Sequence, residues 1–198
     1  ILKRSGTGTI TLGQSGDTLA IPAGATIANS GTATGFAPVG ISSSMTSGTG
    51  LSIDANGHVT MPLQPCFLAH ANNQTKGTGT TDIAFANERF DLNSDFNTST
   101  STFTAPITGK YFFTFSVQTT NAQAGGNISI YLQPSNFEIR AHRQNSDSGT
   151  EGTYESRTWA GVVDMDANDT CKVQINSSTD NDFVIDGGSF QTLFSGYL

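Results

Sequence analysis

The sequence predicts an all-β protein, and two observations support this fold class. Apolar and polar side chains alternate over short stretches that are separated by turns rich in Gly, Ser and Asn. This two-residue period is that of a β-strand with one buried face. From residue 65 onward, no segment shows the 3.6-residue period of an amphipathic helix. Short strands at regular spacing are typical of a sandwich or a barrel.

Composition and charge exclude several classes of function. Hydrophobic residues make up 35% of the chain and charged residues 13%. Both fractions are low, which favours short strands and turns and suits a core completed by neighbouring subunits. The net charge is −7 and the nine Lys and Arg residues are scattered. Since nucleic-acid binding needs clustered cations, we predict no nucleic-acid partner. No apolar run approaches the roughly 18 residues of a spanning helix, so we predict no membrane insertion.

Residues 1–60 form a first region with a character of its own. Apolar residues recur between glycine-containing turns at Ile10, Leu12, Leu19, Ile21 and Ile27. Strands this short do not form a stable sheet within one chain, but they become stable where chains wrap around one another. We therefore predict a β-rich intertwined shaft, with a flexible Gly/Ser/Thr linker as the alternative. Because the sequence starts at Ile1 rather than at Met, we expect it to be a portion of a longer chain.

A hairpin is predicted at the end of this first region. Leu51–Ile53 and His58–Met61 flank the turn Asp54-Ala55-Asn56-Gly57, and the Asn-Gly pair within it is a strong hairpin signal. Pro62 and Pro65 then mark the join to a second region, residues 65–198.

The clearest strand of the second region is Tyr111–Val117. Tyr111, Phe113 and Phe115 point to one face, while Phe112 points to the other. Aromatic residues on both faces indicate that one face is buried and the other contacts a partner. Further strands are expected at Cys66–Ala71, within Glu88–Phe103, and at Ile128–Leu132, Phe137–Arg140, Trp159–Met165, Cys171–Ile175 and Phe190–Leu198.

Eight residues at fixed spacing carry a resemblance to a known family. They are Phe85, Asp91, Phe96, Phe103, Gly109, Tyr111, Phe113 and Phe115. Their spacing resembles the signature of the globular head of complement component one q, whose family shares the tumour-necrosis-factor-like jelly-roll. The resemblance implies an antiparallel jelly-roll sandwich over residues 65–198, in which these eight residues are a structural core signature rather than a binding site. It also implies a homotrimer, and Phe112 is then a candidate trimer contact.

The first region resembles a different group of proteins. Residues 10–26, and the stretch 54–65 that leads into the head, are similar to segments of phage fibre and appendage proteins. No collagen-like Gly-X-Y run is present, although animal members of the complement-q family usually carry one.

These resemblances lead us to predict a structural and host-recognition protein of a phage virion. It would be a tail fibre, appendage or capsid fibre that acts as a homotrimeric adhesin at the extracellular virion surface. The expected partners are further copies of the chain, other virion proteins, and a host cell-surface glycan or protein. Contact with the host is expected at two exposed loops, Thr75–Asp82 and Asn145–Glu155. The alternative is a secreted or surface lectin-like or cytokine-like binding module of a cellular organism.

We predict neither catalysis nor a cofactor. His58, His70 and His142 have no triad or metal-ligand neighbour in sequence, and no paired-carboxylate motif is evident; a capsule depolymerase is the weaker alternative. No metal site is predicted. Two acidic clusters leave calcium as an alternative, and their members are Asp164, Asp166, Asp169, Asp180, Asp182 and Asp186. Cys66 and Cys171 are expected to be buried thiols, although they could pair if their strands are adjacent.

Overall fold

The computed structural model describes most of the chain from residue 50 to its end. The described residues are 50, 52–53, 56, 58–120, 126–145, 154–178, 182–188 and 191–198. They all belong to the compact unit Ser47–Leu198. The predicted shaft therefore lies, up to residue 49, outside the described residues.

The described residues form fifteen strands. In chain order these are β1 (Ser52–Ile53), β2 (Val59–Thr60), β3 (Cys66–His70), β4 (Gln74–Lys76), β5 (Gly79–Asp82), β6 (Asn87–Asp91), β7 (Phe96–Asn97), β8 (Thr102–Thr104), β9 (Gly109–Thr120), β10 (Asn127–Pro134), β11 (Ile139–Asn145), β12 (Tyr154–Met165), β13 (Thr170–Ser177), β14 (Phe183–Asp186) and β15 (Leu193–Tyr197).

Two large antiparallel sheets contain all but the first two of these strands. The first sheet has the order β4-β14-β9-β15-β3-β6, and β12 pairs with the free side of β9. The second sheet has the order β11-β10-β13-β8-β7, and β5 also pairs with β13. Strands β1 and β2 pair with each other as a short hairpin. The predicted all-β fold class is confirmed for the described part of the chain.

The core lies between the two sheets and is rich in aromatic residues. Along β9, burial alternates as the sequence predicts: Tyr111, Phe113, Phe115 and Val117 are fully buried, and the residues between them are not. The second sheet contributes aliphatic residues from β10 and β13 to the same cluster. Each buried large side chain stabilises the fold by roughly 1.5–3 kcal/mol, so this layer accounts for much of the stability of the unit.

Two strands occupy a segment that was predicted to be an exposed recognition loop. Residues 74–76 and 79–82 pair with β14 and β13, respectively, so the expectation of a loop at Thr75–Asp82 is wrong. Strand β14 itself was not predicted. The polar residues of β4 and β5 alternate only between half-buried and exposed positions. Backbone ladder bonds define these strands, and hydrophobic patterning does not report such bonds.

The strand predicted at Phe137–Arg140 begins two residues later, at Ile139. Phe137 is exposed and lies outside the ladder. The Gln133 side chain donates a hydrogen bond to the carbonyl of Phe137, and Asp169 accepts one from the side chain of Asn136. These contacts hold residues 135–138 in a turn. The other predicted recognition loop, Asn145–Glu155, lies outside the described residues at positions 146–153, and its ends belong to β11 and β12.

Candidate subunit-contact face

The outer face of the first sheet is the candidate contact surface. Strands β12, β9, β15, β3 and β6 lie side by side in this sheet. Because side chains alternate between the faces of a sheet, every second residue of these strands points away from the core. We call this surface the outer β9 face. Three rows of residues on this face lie opposite one another across β12, β9 and β15.

The first row of the outer β9 face is apolar. Val162 lies opposite Phe112, and Phe112 lies opposite Tyr197. Val162 is 63% exposed and Tyr197 is 51% exposed, while Phe112 is half-buried. The rings of Phe112 and Tyr197 have their centroids 5.2 Å apart. Three large apolar side chains in one exposed row are a feature of contact surfaces.

The second row has small side chains where it crosses β12, β9 and β15, and larger ones where it continues into β3 and β6. Ala160, Thr114 and Ser195 are the small members, and Leu68 and Phe90 are the large ones. In the third row, Leu193 lies opposite Ser116. The Thr114 hydroxyl donates a 3.0 Å hydrogen bond to the carbonyl of Trp159. A hydroxyl that already has a partner within its own chain costs less to remove from water. The part of the second row around Thr114 is therefore suited to close approach by another backbone.

A concavity lies at the apolar edge of the outer β9 face. It has a volume of about 420 Å³, and its lining residues are Met61, Gln64, Pro65, Cys66, Leu92, Tyr197 and Leu198. Met61 and Leu92 are more than half exposed. Since Tyr197 belongs to both the concavity and the first row, the apolar surface is continuous from Val162 to Leu92.

An exposed ion pair lies at the end of the face. Lys110 and Asp164 face each other across β9 and β12, with 2.8 Å between Nζ and Oδ2. Both side chains are about 70% exposed, so the pair adds little to stability. It gives the end of the apolar row a polar boundary.

The eight signature residues lie away from this face. The six aromatic members are buried in the core; they are Phe85, Phe96, Phe103, Tyr111, Phe113 and Phe115. Phe103 packs against Tyr111 and Phe113 with centroids 5.4 Å away in both cases. The Tyr111 hydroxyl donates a 2.7 Å hydrogen bond to the carbonyl of Ile107, which provides a partner for the polar end of this buried ring.

The remaining two signature residues shape the backbone. Asp91 is half-buried, and its carboxylate accepts hydrogen bonds from the backbone N–H groups of Asn93, Asp95 and Phe96. It therefore holds the turn between β6 and β7. Gly109 starts β9, where an added Cβ would lie 2.5 Å from Leu198 Cδ1, so a side chain would displace the end of the chain.

Acidic groups near Asp169 serve a turn. Asp169 accepts hydrogen bonds from the Ser135 hydroxyl at 2.9 Å and from the backbone N–H of Asp166 at 2.9 Å. Asp164 pairs with Lys110. Within the described ranges, no group of three or more His, Cys, Asp or Glu side chains is placed to hold a metal ion. Asp180 lies outside the described residues.

The two cysteines are free thiols in different sheets. Cys171 in β13 is fully buried, and Cys66 in β3 is only half-buried, so the expectation of two buried thiols is wrong for Cys66. Burial raises the pKa of both thiols, and the negative charge of Asp91 adds to the effect at Cys66. Neither thiol is activated as a nucleophile by this environment.

The register explains which members of the face the sequence did not reveal. Phe112 was predicted as a trimer contact because the family resemblance implies a homotrimer and aromatic residues occupy both faces of β9. Val162 and Tyr197 were not singled out, because their proximity to Phe112 depends on how three strands distant in sequence pair. An exposed valine and a penultimate tyrosine carry no local signal for this.

Among the described residues, no helix is long and apolar enough to cross a membrane.

Two antiparallel sheets packed around an aromatic core, with one outer face exposed, define a jelly-roll domain of the complement-q and tumour-necrosis-factor-like class. The chain belongs to the C1q domain family, because the family model for the C1q domain matches residues 66–198. The predicted jelly-roll and its predicted family are thereby confirmed.

Solved structures agree with this fold at low sequence identity. The globular domain of zebrafish complement 1qA protein is 15% identical with a TM-score of 0.50, covering 68% of this chain and 96% of that one. Eiger TNF from S. frugiperda is 11% identical with a TM-score of 0.50, covering 68% of this chain and 91% of that one. A search of curated proteins finds no match. The two structures bear on the fold alone.

Proposed function

We propose that this chain is a homotrimeric binding module in which the outer β9 faces of three copies meet. The observation that carries the proposal is the exposed row formed by Val162, Phe112 and Tyr197. Exposed apolar surface of this extent is unfavourable in water, and burying it between copies removes that cost. Membership of the C1q domain family supports the threefold arrangement.

The geometry of the face is suited to such an assembly. The small side chains of Thr114 and Ser195 allow close approach, and the apolar edge from Val162 to Leu92 supplies the surface to be buried. Stable interfaces bury roughly 1,200–2,000 Å² in total with an apolar centre and a polar rim. The Lys110–Asp164 pair lies where such a rim is expected.

Mass measurement in solution tests the assembly. We expect a trimer at micromolar concentration for the wild-type chain. Val162→Asp places a charge at a 63% exposed position, where it cannot disturb the core, and is expected to yield monomers. Phe112→Asp should do the same. Phe137→Asp is the matched control, because Phe137 is 44% exposed but lies outside both sheets, and it should remain trimeric. A wild-type monomer at this concentration would overturn the proposal.

We further propose that the module belongs to a phage virion, as a tail fibre, appendage or capsid fibre at the virion surface, where it recognises a host-cell glycan or protein. The support comes from the sequence. Residues 10–26 and 54–65 are similar to phage fibre segments. Three copies at a tip raise avidity without a strong single site.

The alternative is a secreted or surface binding module of a cellular organism. The match of residues 66–198 to the C1q domain family is as consistent with this alternative as with a virion protein. Electron microscopy of intact virions with an antibody to the chain separates the two. Decoration at discrete positions on the particle supports the virion assignment, and undecorated particles overturn it.

We also propose that the chain binds without catalysing a reaction. The support is that polar groups of the outer β9 face, such as the Thr114 hydroxyl and the Lys110–Asp164 pair, have partners within the chain. Incubation with host polysaccharide, followed by sizing of the polymer, tests this. We expect unchanged polymer length, and any shortening would contradict the proposal.

A further inference from the structure

A β-bulge brings two arginines to the same face of the second sheet. Arg140 and Arg143 are three residues apart, so in a regular strand they would point to opposite faces. However, Ile130 of β10 pairs with His142 of β11, whereas the next residue of β10, Tyr131, pairs with Arg140. Ala141 is the extra residue of the bulge. Arg140 then lies opposite Tyr131 and Arg143 opposite Ser129, both on the outer face.

These arginines border a small polar concavity. It has a volume of about 220 Å³, and its lining residues are Asn127, Ser129, Tyr131, Arg140, Arg143, Asn176 and Ser178. Tyr131 and Ser129 are buried in its floor, at 8% and 4% exposure. The guanidinium carbon of Arg140 lies 5.3 Å from the centroid of the Tyr131 ring, so a cation–π contact orients it. The size is below the roughly 300–1,000 Å³ of drug-sized sites and is suited to one small ring or group.

Within the described part of the chain, no carboxylate forms an ion pair with Arg140 or Arg143; the pairs found there involve Lys110, Arg157 and Lys172. This is unusual for a chain of net charge −7. Two exposed guanidinium groups near one concavity attract an anion, and a planar guanidinium is well suited to a carboxylate because it can donate two parallel hydrogen bonds.

The uncharged groups of the concavity restrict the class of ligand further. The Ser178 hydroxyl accepts a 2.9 Å hydrogen bond from the backbone N–H of Asn127, so its own proton is available to a ligand oxygen. Ser129 and Asn176 add a hydroxyl and an amide group to the lining. The concavity is therefore suited to a ligand that combines an anionic group with neutral hydroxyl groups.

We propose that this concavity, which we call the Arg140–Arg143 site, binds a carboxylate-bearing sugar residue, with the carboxylate on the guanidinium groups and a sugar hydroxyl on Ser178. The inference rests on the proposed recognition function, since it names the class of host ligand. The site lies on the second sheet, whereas the outer β9 face belongs to the first. The three concavities of a trimer therefore remain available after assembly.

Calorimetric titration of the full 198-residue chain tests the site. The probes are 3′-sialyllactose and trigalacturonic acid, with lactose as the neutral counterpart of the former and sodium sulfate as a simple anion. We expect both acidic sugars to bind, with lactose and sulfate at least about tenfold weaker. Arg140→Gln and Arg143→Gln should each weaken acidic-sugar binding roughly tenfold.

Arg89→Gln is the matched control, because Arg89 is an exposed arginine of β6 in the first sheet. It should leave binding unchanged. Binding of sulfate as tight as that of the sugars would overturn the sugar assignment, and so would equal binding of lactose. An equal loss in Arg89→Gln, or no binding of either acidic sugar, would overturn the site itself. Trimer mass and virion labelling are measured independently. If the proposed virion role fails, the antibody to the chain will not label virions, while sugar binding by the chain will be intact.

Discussion

Gly196 lies directly opposite Phe113 across the β9–β15 ladder, and a Cβ added at Gly196 would lie 2.5 Å from Phe113 Cδ1. It would also lie 3.0 Å from Phe67 Cε1. The absence of a side chain at this position therefore provides the space in which two core aromatics pack. On the other side of Phe113, Gly161 of β12 occupies the equivalent position and lies beneath the Trp159 ring.

Gly196→Ala is expected to destabilise the domain by about 1–3 kcal/mol, because the methyl group overpacks a layer of rings that cannot shift independently. Urea unfolding, followed by tryptophan fluorescence, measures the change. Gly50→Ala is the control, since a Cβ at Gly50 meets nothing within 4 Å. Equal stability of the two variants would contradict the packing argument.

Removal of the Asp91 carboxylate is expected to loosen the turn between β6 and β7. Asp91→Ala leaves the backbone N–H groups of Asn93, Asp95 and Phe96 without their acceptor. We expect a loss of about 1–3 kcal/mol in the free energy of unfolding. Asp95→Asn is the comparison. Burial, together with the charge of Asp91, raises the pKa of Asp95, so an uncharged amide there should not lower stability near neutral pH. A loss as large as that of Asp91→Ala would argue against this assignment.

Acidification is expected to destabilise the domain through His142. Burial lowers the pKa of His142 below its ordinary value of 6.5, and the nearby Arg157 lowers it further against the opposing effect of Glu155. Arg157 is itself buried and donates a 2.8 Å hydrogen bond to the Thr119 hydroxyl. As the pH falls through 6.5, the unfolded state takes up a proton that the folded state resists. The stability associated with neutral His142 is therefore present above this pH and lost below it.

Thermal unfolding between pH 7 and pH 5 measures this effect. The wild-type melting temperature should fall more steeply with acidification than that of His142→Gln, which carries no titrating ring. His58→Gln is the control, because His58 is exposed in the hairpin, and its pH dependence should follow the wild type. Identical slopes for all three proteins would show that His142 does not contribute.

Thiol labelling is expected to report on assembly. In the folded chain, burial raises the pKa of Cys171 strongly and leaves it inaccessible, so only Cys66 should react with an aromatic disulfide reagent, and slowly. Cys66 lies opposite Tyr197 on the outer β9 face. If that face is buried in a trimer, Cys66 should react faster in Val162→Asp than in the wild type. Both thiols should react in urea. Equal rates for Cys66 in the two folded proteins would count against burial of this face.

Much of the fold of residues 65–198 could be predicted because the sequence patterns that indicate it are local. The alternation at Tyr111–Val117 indicates a strand with one buried face, and burial in the structure follows it. The polar strands β4 and β5 escaped prediction for the converse reason. Gln74–Lys76 and Gly79–Asp82 contain no apolar alternation, and they become strands through backbone pairing with β14 and β13.

The two candidate sites also differ in how far local sequence signals predict them. Alternation assigned Phe112 to the face opposite the core, and the two-residue period suffices for that. It cannot place Arg140 and Arg143 together, because their odd spacing predicts opposite faces and only the bulge at Ala141 reverses this.

The sequence by itself determined the all-β class, the aromatic core layer and the membership of a jelly-roll family, because side-chain period and the spacing of bulky residues are properties of neighbouring positions. The tertiary structure decided which exposed residues are neighbours. Val162, Phe112 and Tyr197 come from three strands, and their common row exists only through the register of two ladders. Register arises from pairing and packing over the whole sheet, so no single segment of the chain encodes it.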